Sequence, residues 1–423
     1  MRAVVVALGK IGLPIAVHIA RAGHDVVGCD IDPRVRDAVA AGRAPFPGEA
    51  HLDDYLTEVV DAGRLTVSGD TTAAVAAGAD LVIVVPPLIV DREARPDWRV
   101  MDAALTDVGR GLQAGTVVSV ETTLPTGSTR SRVAPMLADL SGLRSEADFF
   151  TVHSPERVFS GRIFADLETY PKLVGGLTDA GEARAVELYR TFIRQAEVWG
   201  MGSAEAAELA KLAETTYRDI NIAFANELAR HADAIGVDVD RVIDASNSQP
   251  FSHIHRPGIA VGGHCIPVYP RFYLAGDPDA RVPAAARASN LEMPSYAVDL
   301  LRDLLGGSLD GARVHVLGAA YRGGVKETAF SGVFDVFDAL RDRGATPLVS
   351  DPLYTDDELR ALGLEPFDGH PVDGVIVQAD HAEYRDLAAE ALDGARAVVD
   401  GRGVVDVDAL RAAGVAVKRI GRP

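Results

Sequence analysis

The chain has 423 residues, 48% of them hydrophobic, which suits two or three domains with separate cores rather than one compact unit. Its 61 acidic and 42 basic side chains give a formal net charge of -19, which excludes general affinity for nucleic acid or anionic membranes and requires any anionic ligand to find a local basic pocket. Two cysteines, Cys29 and Cys265, are too few and too far apart for a disulfide framework or a metal site, and no apolar run approaches the roughly 20 residues of a membrane span.

The chain enters a strand at once, with neither a charged leader nor a cleavage site, so a soluble, cytoplasmic protein is expected. "VVVALGKIGLPIAVHIARAGHDVVGCDID" reads as strand, glycine turn, helix and second strand ending at Asp30. In the dinucleotide fingerprint GxGxxG, Ala7 takes the first glycine position, Gly9 and Gly12 the others, and Lys10 and Ile11 lie between them. Gly9 lets the backbone approach a pyrophosphate at the following helix N-terminus, and Asp30 is placed to accept from a ribose diol, which favours NAD over its 2'-phosphorylated form. A plain tight turn would use the same glycines; the strand–helix–strand frame and the terminal acid favour the cofactor. Cys29, on an apolar strand, reads as a core thiol.

Further unbroken apolar runs follow at 80–86, 116–123, 148–153 and 172–176, as expected of strands buried on both faces of a parallel sheet. Residues 203–235 hold no proline or interior glycine and predict one long helix, with Ser203 as N-cap and Gly236 as stop. A second strand series runs through 313–320, 346–352, 373–380 and 395–403. The fold class is therefore α/β, two Rossmann-like doubly wound parallel-sheet domains joined by a long central helix. The expected boundaries are 1–200 for NAD binding, 201–300 for the helical, dimerising segment and 301–423 for the nucleotide-sugar domain. Between the two strand series, "VGGHCIPVYP" at 261–270 sets Cys265 in a stiff glycine loop. Alone, that cysteine is either a nucleophile or a small filler.

The motifs, taken in order, resemble the UDP-glucose/GDP-mannose dehydrogenase family. "VGGHCIPVYP" is similar to its GGxCxP signature, "ETTLPTGST" (121–129) to its STxPxGT loop and "SPERVFSGR" (154–162) to a PERxxPG variant. "AELAKLAETTYRDINIAFANELA" (207–229) resembles its lysine-bearing helix, and "LGAAYRGGVKETAFSG" (317–332) and "VDGRG" (399–403) its C-terminal motifs. The resemblance implies a homodimer built on the central helix and NAD-dependent oxidation of a UDP-sugar C6 hydroxyl to a carboxylate in two hydride transfers. Cys265 is then the thiol that carries the aldehyde and acyl stages, Lys211 the cation beside the developing oxyanion, and Thr123 a group that positions water or substrate oxygen and borders the cofactor. Glu156, Arg157, Thr215, Gly262 and Gly263 fall on substrate-binding motif positions, and Arg256 and Arg402 are candidates for the diphosphate, with surface ion pairs as the other reading of each arginine. "PERVFSG" and "GGHCIPV" look most like members that act on UDP-N-acetylmannosamine, whose products feed polysaccharide assembly.

The pattern departs from the family at four places: Thr215 stands where an Asn is usual, Tyr269 for an Asp, Ala329 for an Arg and Lys10 for a Tyr. Two other classes compete. A β-hydroxyacid dehydrogenase shares the first domain and a helix lysine but has no use for Cys265 or a second α/β domain. A non-catalytic nucleotide-sugar binder would fit the altered positions but not the joint retention of Cys265, Lys211 and Thr123.

Overall fold

The computed structural model describes every residue except Arg92, Ser160, Asp386 and Asp393. The chain divides into two compact units, one of residues 1–214 with 271–278, the other of 215–270 with 279–423.

The first unit holds strands β1 (Arg2–Val6), β2 (Asp25–Cys29), β3 (Leu65–Ser68), β4 (Leu81–Val84), β5 (Ile89–Val90), β6 (Pro96–Asp97), β7 (Val117–Val120), β8 (Phe150–His153), β9 (Lys172–Gly176) and β10 (Val198–Gly200). Eight form one sheet in the order β10-β9-β8-β7-β4-β1-β2-β3, and β5 and β6 make a separate ribbon. The run β3-β2-β1-β4-β7 is the Rossmann order. Every residue of β4 and β7 is buried, and all of β1 but its first, because helices cover both faces of a parallel sheet. Val5, Ile83 and Leu13 meet in the resulting core. One amendment to the parallel sheet is needed: β9 pairs antiparallel with β8, and β10 follows β9, so these last two strands oppose the rest.

The second unit adds β11 (Arg313–Leu317), β12 (Thr346–Ser350), β13 (Gly374–Val377), β14 (Ala397–Asp400) and β15 (Ala416–Arg419). They form one wholly parallel sheet, β12-β11-β13-β14-β15. Its order reverses between β11 and β13, the point at which doubly wound folds bind ligands. Val316, Ile376 and Val399 pack there against Phe337 of the helix Gly332–Asp342 and Leu301 of the helix Arg281–Leu304.

The long helix is Ala204–Ile235. The Ser203 hydroxyl accepts the Ala206 amide at 3.1 Å and Gly236 turns the chain out with φ +72, so both ends fall where expected. Residues 204–214 belong to the first unit and 215–235 to the second. On this helix Leu228 packs against the second unit's own core, while Phe224 is exposed together with the neighbouring Tyr217.

Strands β3, β10 and β15 were not expected. All three lie at sheet edges and are only partly buried, so they lack the unbroken apolar run that marks an interior strand. Among the described residues no helix is long and apolar enough to cross a membrane, and no group of three or more His, Cys, Asp or Glu side chains is placed to hold a metal ion.

Candidate active site

The glycine turn after β1 is built as a dinucleotide site requires. Ala7 sits at φ 75, the left-handed region where the fingerprint has its first glycine. A Cβ on Gly12 would run into the Ala7 carbonyl oxygen, so Gly12 sets the close approach of helix Gly12–Arg21 to the strand. At Gly9 a Cβ would meet nothing within 4 Å, which leaves this face of the turn open to a ligand. Ile11, at the N-cap, supplies no capping side chain and the first helical turn holds no acid, so no carboxylate competes for an anion there. Lys10 is exposed beside it. Asp30, just past β2, accepts the Leu8 amide at 2.8 Å and the Asp32 amide at 2.9 Å. A carboxylate has about four acceptor positions, so two remain for a diol. The residues fit NAD, whose chemistry when bound is to accept hydride.

Thr123 lies buried just beyond β7, in a loop fixed from the long helix. Glu208 accepts the Gly127 amide at 2.5 Å, the Thr129 amide at 2.8 Å and the Thr129 hydroxyl at 2.6 Å. Burial raises the Glu208 carboxyl, partly offset by these donors. Lys211 follows three residues on, itself buried, with Nζ 4.0 Å from Glu214. The other oxygen of Glu214 takes the Arg157 guanidinium at 2.9 Å, so Arg157 is engaged within the protein and also donates to the Pro171 carbonyl.

Glu156 belongs to a buried charge cluster. Lys172 Nζ lies 2.8 Å from Glu156 and 2.7 Å from Glu121, and the Tyr189 hydroxyl donates to the other oxygen of Glu121. Burial drives the Glu121 carboxyl up to about 7, against the pull of Lys172. Burial also works to raise Glu156, but the Lys172 ammonium and the Arg157 amide outweigh it and hold that carboxyl below its usual range. Two acids sharing one cation are thereby driven apart, with Glu156 the more firmly ionised.

In the second unit Cys265 is exposed. Its carbonyl accepts the Val268 and Tyr269 amides, which curls the chain into the helix Tyr269–Gly276. A Cβ on Gly262 would meet the Tyr321 side chain at 2.6 Å and the Phe330 carbonyl at 2.9 Å, and Gly263 needs its φ of +88 to donate to the Ala329 carbonyl at 2.9 Å. The paired glycines thus serve to lay the cysteine loop flat on residues 321–330. His264 stands 3.5 Å from Glu327 in the same contact. Arg402 donates to the Gln378 carbonyl at 2.6 Å and the Tyr321 carbonyl at 3.1 Å, and burial lowers its pKa. Thr215 is buried on the long helix, four residues past Lys211.

At Arg256 the structure shows the surface ion pairs that were its other reading. Its half-exposed guanidinium lies 3.1 Å from Asp240 and pairs closely with Asp244. Cys29 is a core thiol as expected, 1% exposed, and burial pushes it up to about 11. Sequence reading missed Glu208, Glu121, Lys172 and Glu214. The one available signal was the scarcity of lysine, which singled out position 172 without showing its partners.

The second sheet repeats the first turn in altered form. Gly318, with φ +101, follows β11 as Ala7 follows β1, and Asp351 ends β12 as Asp30 ends β2. Asp351 accepts the Ala319 and Ala320 amides at 2.8 and 3.0 Å and lies 3.1 Å from His381, with its side chain wholly buried.

An open glycine turn, a helix N-terminus free of acidic side chains and a strand-end carboxylate define a dehydrogenase of the NAD-binding α/β class. Residues 1–193 match the NAD binding domain of the UDP-glucose/GDP-mannose dehydrogenase family, 205–292 its central domain and 315–407 its UDP binding domain. The chain is 34% identical over 414 residues to a UDP-N-acetyl-D-mannosamine dehydrogenase of Pyrococcus horikoshii, with 96% of each covered. It is 31% identical over 412 residues to an NDP-N-acetyl-D-galactosaminuronic acid dehydrogenase of Ralstonia solanacearum, with 95% of each covered. A solved structure of the P. horikoshii UDP-D-ManNAc dehydrogenase superposes with a TM-score of 0.88 at 32% identity, covering 100% of this chain and 99% of that one. The chain belongs to the UDP-glucose/GDP-mannose dehydrogenase family. It is an NAD-dependent oxidoreductase that acts on the CH–OH group of a nucleotide sugar.

Proposed function

We propose that the protein oxidises the C6 hydroxyl of UDP-N-acetyl-D-mannosamine to the carboxylate, giving UDP-N-acetyl-D-mannosaminuronate. The observation that carries this reading is the 34% identity, over 96% of both chains, to a UDP-N-acetyl-D-mannosamine dehydrogenase. The first hydride loss yields an aldehyde, which cannot lose a second until a nucleophile adds. The Cys265 thiolate adds to give a hemithioacetal; its oxidation leaves a thioester, and water cleaves this to the acid and the free thiol. Lys211 supports the oxyanion at each tetrahedral stage, an effect on the order of 10² to 10³ in rate. Thr123 positions water or substrate oxygen and borders the cofactor, and Glu156, held ionised by Lys172, orients the sugar. Thr215, Gly262 and Gly263 line the sugar-nucleotide path in this reading, with Arg402 nearest the diphosphate.

On the same reading residues 1–200 bind NAD, 201–300 carry dimerisation and the thiol loop, and 301–423 bind the UDP moiety. A homodimer is supported by Tyr217, Phe224 and Leu291, all large, apolar and exposed on the second unit. A free catalytic thiol is kept reduced in the cytoplasm, which supports that location, and a uronic acid product suits polysaccharide assembly. The 31% identity to an NDP-N-acetyl-D-galactosaminuronic acid dehydrogenase favours a galactosamine-type sugar as the second reading.

The test is NADH formed per sugar consumed with UDP-N-acetylmannosamine, UDP-N-acetylgalactosamine, UDP-N-acetylglucosamine and UDP-glucose in parallel. Two NADH with a clear preference for the mannosamine compound is the expected result. Preference for another sugar moves the assignment to it, and absence of NADH with all four refutes the proposal.

A further inference from the structure

Three asparagines tie the chain leading to Cys265 onto helices of the second unit. Asn221 donates to the His253 carbonyl at 2.7 Å and accepts the His255 amide at 2.8 Å. Asn247 clasps Ile254 in the same way, at 2.8 and 2.9 Å. Both lie toward the surface. The third, Asn226, is wholly buried, and its Oδ1 accepts the Gly258 amide at 3.0 Å.

What distinguishes Asn226 is how its amide is oriented. Its Nδ2 donates to Asn290 Oδ1 at 2.9 Å, and Asn290 Nδ2 donates in turn to Asp219 Oδ1 at 2.8 Å and to the Asp219 carbonyl at 3.0 Å. Asp219 is paired in the interior with Arg287, whose Nε lies 2.5 Å from Oδ2. A carboxylate can only accept, so Asn290 must turn its NH2 toward Asp219 and its oxygen toward Asn226. Asn226 must then present NH2 to Asn290, which leaves its own oxygen facing Gly258. The ion pair at one end of the relay dictates the polarity of the hydrogen bond at the other. Asp219, Asn226, Arg287 and Asn290 are each less than 7% exposed, so a reversed amide anywhere along the line would strand a buried donor or acceptor. Beyond Gly258 the loop is caught again, by Ile259 on the Gly401 carbonyl at 3.0 Å and Gly263 on the Ala329 carbonyl at 2.9 Å, two residues before the cysteine.

We propose that Asn226, oriented through Asn290 by the Asp219–Arg287 ion pair, is a positioning residue for the Cys265 loop and serves the thiol-dependent second oxidation. The proposal rests on Cys265 being the acyl carrier. Addition of a thiolate to an aldehyde demands placement within a few tenths of an ångström, and a displacement of about 1 Å costs roughly 10²-fold in rate. The first oxidation needs no thiol and is far less sensitive to this loop.

The experiment is Asn226→Ala, with the isosteric Asp219→Asn as companion, assayed for kcat, for KM of NAD and for NADH per sugar. For Asn226→Ala the expected result is a fall in kcat of about 10- to 100-fold, KM for NAD within about twofold of the parent, and NADH per sugar dropping from two toward one as aldehyde escapes to a trapping amine. Asp219→Asn moves in the same direction by a smaller factor. A folded Asn226→Ala enzyme that keeps two NADH per sugar overturns the proposal, whatever its kcat, because general loosening of the unit slows both oxidations alike. Hydrogen exchange on the unmodified protein needs no variant: protection of the Gly258 amide equal to that of the long helix supports the relay, and exchange at the rate of an open loop overturns it. Cys265→Ser separates the two readings, since acid formation by that variant overturns the thiol assignment together with this proposal, whereas unchanged stoichiometry in Asn226→Ala overturns this proposal alone.

Discussion

The Lys172 ammonium lies 2.8 Å from the Glu156 carboxylate in the interior of the first unit, and Glu121 shares the same cation from 2.7 Å. Removing the cation strands two buried acids. Lys172→Met therefore costs about 3–5 kcal/mol of stability, measured by denaturant titration, with the larger loss above neutral pH, where both carboxyls would carry charge.

Glu121 itself sets a pH dependence of known sign. Its carboxyl rises from 4.5 to about 7 on folding, chiefly through burial, so the folded state favours the protonated form. The stabilising contribution is complete below about pH 4.5 and is lost as the pH climbs through 7. Thermal unfolding of the parent and of Glu121→Gln between pH 4.5 and 8 should show the parent's relative stability falling across that window. A constant difference would refute the assignment.

Glu208 accepts two amides and a hydroxyl of the loop that carries Thr123. Glu208→Ala leaves the two buried Thr129 donors without it, at about 1–3 kcal/mol each before any water enters. The fall in kcat should exceed the fall in NAD affinity, since the glycine turn that binds the cofactor is built by other residues. Equal changes in kcat and KM would show that the loop has no separate part in turnover.

The two thiols should react very differently. Cys265 is exposed, whereas Cys29 is buried and pushed up to about 11, so iodoacetamide at neutral pH should place one label per native chain, on Cys265, with loss of activity. Mass spectrometry of the digested protein reads this directly; a second label before unfolding would contradict the burial of Cys29.

At the glycine turn, Ala7→Gly removes the strain of a left-handed alanine and should raise stability by about 0.5–1 kcal/mol with NAD affinity unchanged. Gly12→Ala drives a methyl into the Ala7 carbonyl and should abolish NAD binding. Calorimetry with the cofactor distinguishes the pair.

Local chemistry was readable from the sequence; long-range pairing was not. The β1 turn, the caps of the long helix and the core character of Cys29 rest on neighbours a few residues away or on one apolar strand, and those expectations hold. Glu208 meets its loop 79 residues away and Lys172 meets Glu121 51 residues away, distances over which no periodicity carries a signal. Arg256, which the sequence left between a phosphate contact and a surface ion pair, meets two aspartates that only the fold brings to it. The edge strands β3, β10 and β15 escaped because burial on one side writes a weaker pattern than burial on two.

Asp351 gives the duplicated architecture an asymmetry with kinetic weight. At the end of β2 a carboxylate keeps spare acceptor positions; at the end of β12 the equivalent one is spent on two amides and His381 and sealed from solvent. A protein that must take up two different nucleotides on two related sheets risks having each occupy the other's seat. Spending Asp351 internally removes the ribose anchor from the second sheet, so on the proposed reading an excess of NAD should leave the KM for the sugar nucleotide unchanged.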